Sequence, residues 1–166
     1  SHKDNSLPSE FDVSSCNRGS VPWVVLNTLD GTYTTIQPVD YTYLPLEGRP
    51  FVYGILDCFT VVRDYYKREL DIVLKDPHRP EDWWNEPGMN LYVDSAEQWG
   101  FHRVQEIKEH DVILMQMGSK VANHAAVYIG DGKILQHLDN RLSRVDLYGG
   151  FWVKCTHSIW RHNGRN

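Results

Sequence analysis

Between residues 59 and 73 the apolar positions recur at helical spacing. Phe59, Val62, Tyr66, Leu70 and Val73 fall at steps of three, four, four and three. The spacing predicts an amphipathic helix, with Arg63, Lys67, Arg68 and Glu69 on its other faces. Asp57 stands where an N-cap belongs, because its carboxylate can accept from the free amides of a first turn. Pro77 sets the latest point at which this helix ends. Beyond Asp111 the pattern changes to alternation and predicts five strands, 112–117, 125–129, 133–138, 144–147 and 153–161. Asp131-Gly132 is a hairpin signal between the second and third of these. Two earlier strands, 23–26 and 33–36, flank an Asp30-Gly31 turn.

The segments between are irregular. Residues 1–20 are polar and turn-rich and predict a loop or poorly ordered entry. Pro38, Pro45 and Pro50 mark 37–50 as a linker. Residues 76–88 place Pro77, Pro80 and Pro87 around Trp83 and Trp84, a long loop with aromatic anchors. Residues 95–100 predict a short helix capped by Gly100. The pattern shifts near residue 45, which suggests two parts, 1–40 and 41–166, the first too short to bury a core alone. A helix followed by a run of strands predicts the α+β class.

Composition narrows the function. Of 166 residues, 41% are hydrophobic and 23% charged, which excludes wholesale disorder. A net charge of −5 makes nucleic acid a poor partner. No apolar run reaches the roughly 18 residues of a membrane span, and no signal-peptide core appears. The first residue is Ser1, so a processed or excerpted chain is expected.

Cys16, Cys58 and Cys155 are too few, and odd in number, for a disulfide framework, and no Cys-x-x-Cys pair exists. A thiol attacks as its anion. Cys58 follows the proposed cap directly, where the free amides and the helix dipole favour negative charge and should lower its pKa. Cys16 falls in the polar entry and Cys155 in the last predicted strand, and neither receives that help. Of eight histidines, His124 differs from the rest. It opens a strand entering a tight hairpin, and Ala125 and Ala126 keep the space before it clear. A third group should orient the imidazole. A two-residue hairpin loop would offer His137 on the face of His124; a three-residue loop, Gly130-Asp131-Gly132, would offer Gln136 instead.

Leu56-Asp57-Cys58 at a helix start, followed by His124-Ala-Ala-Val-Tyr-Ile-Gly-Asp-Gly-Lys-Ile-Leu-Gln136, resembles the NlpC-type cell-wall cysteine peptidases of the papain-like superfamily. The spacing of twelve from His124 to Gln136 matches that family's spacing to its third residue and favours Gln136. The resemblance implies a papain-like fold, with an N-terminal helix carrying the Cys packed on an antiparallel sheet carrying the His. It implies Cys58 as nucleophile, His124 as base and Gln136 as orienting residue, with Tyr53 and Asp57 at the substrate, and neither cofactor nor metal. The bond cut would be the amide between γ-D-glutamate and the diamino acid of a peptidoglycan stem peptide. One departure stands out: Phe59-Thr60 occupies the place where Ser-Gly often follows the nucleophile.

The run from Pro45 to Cys58, the Trp83-Trp84 loop, Asn140-Arg-Leu-Ser-Arg and Tyr148-Gly-Gly-Phe-Trp also resemble the tail-tip proteins of lambda-like phages, over about residues 40–162. This implies a place at the virion tail tip, action on the host cell wall in the periplasm during entry, and other tail-tip proteins as partners. The alternative is a structural plug or assembly protein with a masked site. Such chains carry a JAMM-type metallopeptidase module ahead of the NlpC-type part. Ser1-His2 and Ser9-Glu-Phe-Asp12 resemble its tail end with the first metal-binding His absent, so no metal is expected there.

Overall fold

The computed structural model describes Pro8, residues 10–39 and residues 44–164. Helix α2, Cys58–Leu70, begins where the cap was predicted. The Asp57 side chain accepts from the Thr60 amide at 2.9 Å, and the Thr60 hydroxyl sits 2.7 Å from the Asp57 amide, a reciprocal capping box. The helix ends well before Pro77. Asp71 adopts the left-handed conformation (φ 52°), and the amides of Asp71 and Ile72 both close on the Tyr66 carbonyl. Val73 therefore lies outside the helix and is 75% exposed, so the predicted apolar face stops at Leu70.

Six antiparallel strands form the main sheet in the order β3-β8-β4-β5-β6-β7. They are β3 (Phe101–Val104), β4 (Val112–Met115), β5 (His124–Tyr128), β6 (Lys133–Gln136), β7 (Arg144–Leu147) and β8 (Thr156–His162). One face offers Val112, Leu114, Ala125, Val127 and Leu135 to Phe59, Val62 and Tyr66 of α2. The other buries Ile113, Met115, Ala126 and Ile134 beneath Tyr128, Tyr148 and Trp152. Both faces of the central strands are covered, so β4 is apolar throughout rather than alternating.

Several segments differ from expectation. The last predicted strand divides: α4, Phe151–Cys155, precedes β8, so Cys155 ends a short helix. Edge strand β3 follows α3, Leu91–Ser95, and a 3-10 turn, Glu97–Trp99. Gly100 closes that turn at φ 86°, and a Cβ there would meet His162 Nε2 at 2.8 Å, so glycine is required. The 37–50 linker is in part welded to the body. Arg49 and Asp64 form a buried ion pair at 2.6 Å, and the Arg49 amide and carbonyl both bond Ser143.

The polar entry contains α1, Glu10–Gly19. Its Cys16 is buried, with its thiol facing the carbonyls of Val21 and Ile36, rather than lying in a loop. Strands β1 (Trp23–Leu26) and β2 (Tyr33–Ile36) pair as predicted in a separate two-stranded sheet. His2, Ser9 and the division at residue 40 lie outside the described residues.

Candidate active site

The cleft has a helical wall and a sheet wall. At the helical wall, Asp57 is buried and its second carboxylate oxygen accepts from the Gly54 amide at 2.8 Å and from Arg79 at 3.0 Å. Arg79 is itself buried. It reaches Asp76 at 2.6 Å and lies 4.7 Å over the Phe59 ring. Burial alone would raise the Asp57 carboxyl, but Arg79 and the amides of Thr60 and Gly54 outweigh it and hold the group below the usual carboxylate range. Phe59 points into the core, stacked on Tyr92, and not toward a substrate. This explains how a bulky ring is accommodated directly after the cysteine.

Cys58 occupies the first position of α2 and is half-buried. Its Sγ lies 3.5 Å from the Tyr92 hydroxyl, and the Ala125 amide of β5 faces the sulfur. The Tyr53 hydroxyl donates to the Pro80 carbonyl at 2.9 Å, and its ring stands edge-on to Trp84. Trp83 is a core residue; Trp84 stays half-buried at the cleft.

The sheet wall depends on register. Ala126 faces Gln136, and the Ile129 amide closes on the Lys133 carbonyl at 3.0 Å, so the hairpin has the three-residue loop. Gly130, Asp131 and Gly132 all carry positive φ. His124 and Gln136 thus share a face, and His124 Nε2 meets Gln136 Oε1 at 2.9 Å. The Gln136 amide nitrogen donates to Asp146 of β7 at 2.7 Å, and Arg144 donates to the same oxygen at 2.8 Å. His137 turns its Nε2 to the Arg141 carbonyl at 3.1 Å and stacks edge-on against Phe51.

Tyr53, Asp57, Cys58 and His124 line one cleft of about 560 Å³, and Gln136 stands behind the imidazole. Glu81, Asp82 and Asp139 add carboxylates to its walls. The expected lowering of the thiol pKa is not what the folded chain produces. Burial pushes Cys58 up to about 11, and the Asp57 carboxylate pushes the same way against Tyr92, Ala125 and Arg79. Burial likewise lowers His124 to about 4, partly opposed by Gln136. At pH 7 these shifts leave Cys58 a neutral thiol and His124 a neutral imidazole at rest, both on the walls of the same cleft. Sequence reasoning missed Arg79, Tyr92 and Asp146. The first two come from a loop and a short helix without a local signal; Asp146 was readable only once β7 was placed beside β6.

A helix carrying a cysteine at its first turn, packed on an antiparallel sheet that carries a histidine, is the papain-like α+β arrangement. The NlpC/P60 family matches residues 48–161, more than half of the chain, and the chain belongs to that family. It is 44% identical over 156 residues to tail tip assembly protein K of Escherichia phage lambda, covering 93% of this chain and 74% of that protein. It is 34% identical over 165 residues to tail tip assembly protein K of Escherichia phage N15, covering 98% and 67%. Among solved structures, an NLP/P60 family protein of Staphylococcus aureus, described as similar to a lipoprotein, superposes with a TM-score of 0.51 at 13% identity, over 93% of this chain and 62% of that one. That likeness concerns the fold alone.

Proposed function

We propose that the cleft is the active site of a cysteine endopeptidase that cuts peptidoglycan stem peptides at the γ-D-glutamyl–diamino acid amide. The observation that carries this reading is the meeting of the α2 N-terminus with β5: the Cys58 sulfur faces the Ala125 amide, one residue from an imidazole held by Gln136. Gln136 occupies Nε2, which leaves Nδ1 of His124 for the cleft. As substrate binds, His124 takes the thiol proton while Cys58 Sγ bonds the scissile carbonyl carbon. The imidazolium then protonates the departing amine as the C–N bond breaks. Water attacks the thioester, with His124 as base, and releases the carboxylate and the thiol. An amide of the first turn of α2 stabilises the oxyanion, such a donor being worth about 2.7–4 kcal/mol.

In this reading Tyr53 offers its ring edge to the substrate, and Asp57 acts by fixing the helix start. The catalytic part is residues 41–166, and it needs no metal or cofactor. The names of the two phage relatives support a place at the virion tail tip among other tail proteins. The peptidase reading itself, not those names, puts the site of action at the host cell wall, in the periplasm, during entry. The experiment is digestion of purified peptidoglycan, with the fragments and the bond cut identified by mass spectrometry. The wild-type chain is expected to release peptides that begin with the freed amine of the diamino acid and to leave D-glutamate with a free γ-carboxylate on the glycan, and Cys58→Ala to do neither.

A second reading is a masked site in a structural or assembly protein. It is favoured by the raised thiol pKa, by the Tyr92 hydroxyl against the sulfur and by the word "assembly" in the relatives' names. Intact peptidoglycan after incubation with wild-type chain would support it.

A further inference from the structure

The catalytic face is built from three adjacent strands, and the outermost supplies a group with no place in the reaction as described so far. Gln136 pairs directly with Arg144, and Asp146 lies two residues further along β7, on the same face. The geometry points to Asp146 as a positioning residue that fixes the orientation of the Gln136 amide and, through it, places the His124 proton on Nε2.

The argument is a chain of forced donors. A glutamine amide has two ends of nearly equal shape, one donating and one accepting. Gln136 is fully buried, so neither end can be satisfied by bulk water. Asp146, ion-paired with Arg144, only accepts. The end of Gln136 that faces it at 2.7 Å must therefore be the NH2 group. That turns Oε1 toward His124 at 2.9 Å. Oε1 only accepts, so Nε2 of a neutral His124 must carry the hydrogen, and Nδ1 keeps the lone pair. With the amide reversed, an NH2 group would face Nε2 and drive the proton to Nδ1. The imidazole would then present a donor to the thiol and could not take its proton. An orienting group of ambiguous polarity works here because a third strand removes the ambiguity.

The proposal rests on the peptidase reading only for its effect on rate; its direct test does not need activity. The full chain bearing Cys58→Ala, in which no thiolate can draw a second proton, is examined at pH 7 by nitrogen NMR of the histidine rings. His124 is expected as the single Nε2–H tautomer. Adding Asp146→Leu, which removes the acceptor, should give a mixture or the Nδ1–H form. Adding Asp146→Asn, whose side-chain oxygen can still accept, should restore Nε2–H. An Nδ1–H ring without any change at Asp146 overturns the proposal, and this needs no variant at that position to fold. A pure Nε2–H ring in a folded Asp146→Leu chain overturns it too.

With Cys58 intact, Asp146→Leu should lower kcat about 10–100-fold, on the scale seen for the outer hydrogen-bond partners of metal-bound histidines. KM should stay unchanged, because Asp146 does not touch the substrate. Absence of hydrolysis by wild-type chain with the tautomer as expected would remove the peptidase reading and leave the relay standing. Hydrolysis with the tautomer contradicted would remove the relay alone.

Discussion

The two walls of the cleft are built on opposite plans. The helical wall is local and heavily tied: Asp57 makes its cap within three residues on either side, to Gly54 and Thr60, and one buried arginine completes it. The sheet wall is non-local, a single file from His124 through Gln136 to Asp146, with one contact per step. The first holds the nucleophile by redundancy. The second sets the base by polarity, each group leaving the next only one way to point. Damage to the helical wall should therefore show in stability, and damage to the sheet wall in the quality of the imidazole.

The largest expected effect is on the helical wall. Arg79→Ala leaves the Asp57 carboxylate buried without its counter-charge and should cost about 3–5 kcal/mol, read as a fall in the urea midpoint. A loss below about 1 kcal/mol would mean that the amides of Gly54 and Thr60 suffice by themselves.

On the sheet wall, His124 links stability to pH. Its folded pKa of about 4 lies below the 6.5 of an unburied histidine. Between those values the unfolded chain binds more protons, so stability is full above pH 6.5 and falls as the pH drops toward 4. The contribution is about 3 kcal/mol. His124→Gln should flatten that part of the profile in urea titrations at successive pH values.

Gln136→Leu breaks the file without adding charge and should reduce kcat about 10–100-fold. Steady-state kinetics on a stem peptide would read this, with KM little changed.

The smallest effect lies where the walls meet. In the resting chain, iodoacetamide labelling of Cys58 should climb only above about pH 9, in keeping with a thiol held near 11. Tyr92→Phe removes a donor to the sulfur anion and should slow labelling about fivefold at fixed pH, the equivalent of one ordinary hydrogen bond. Fast labelling at pH 6 would show a standing thiolate and contradict the neutral pair.

The same contrast governs what the sequence made legible. The cap at Asp57, the start of α2 and the β1–β2 hairpin rest on contacts a few residues apart, and all were readable. Gln136 against His137 turned on one residue of loop length, which alternation cannot resolve and a family spacing did. Val73 fell into phase with the helix by position, but the left-handed Asp71 had already ended it. Helix α1 was missed because its sequence is mostly polar, with no apolar stripe to mark it. The thiol pKa was misjudged because the helix terminus is visible in the sequence, whereas the burial that opposes it comes from packing against Tyr92 and β5.

The central claim is that Cys58 forms the covalent bond. A defined stem peptide mixed with the full chain, quenched with acid during the first turnover and digested for mass spectrometry, tests it directly. The account predicts the acyl half of the substrate on the peptide that contains Cys58. Substrate cleavage with that thiol unmodified, and at the same rate in Cys58→Ala, would contradict it.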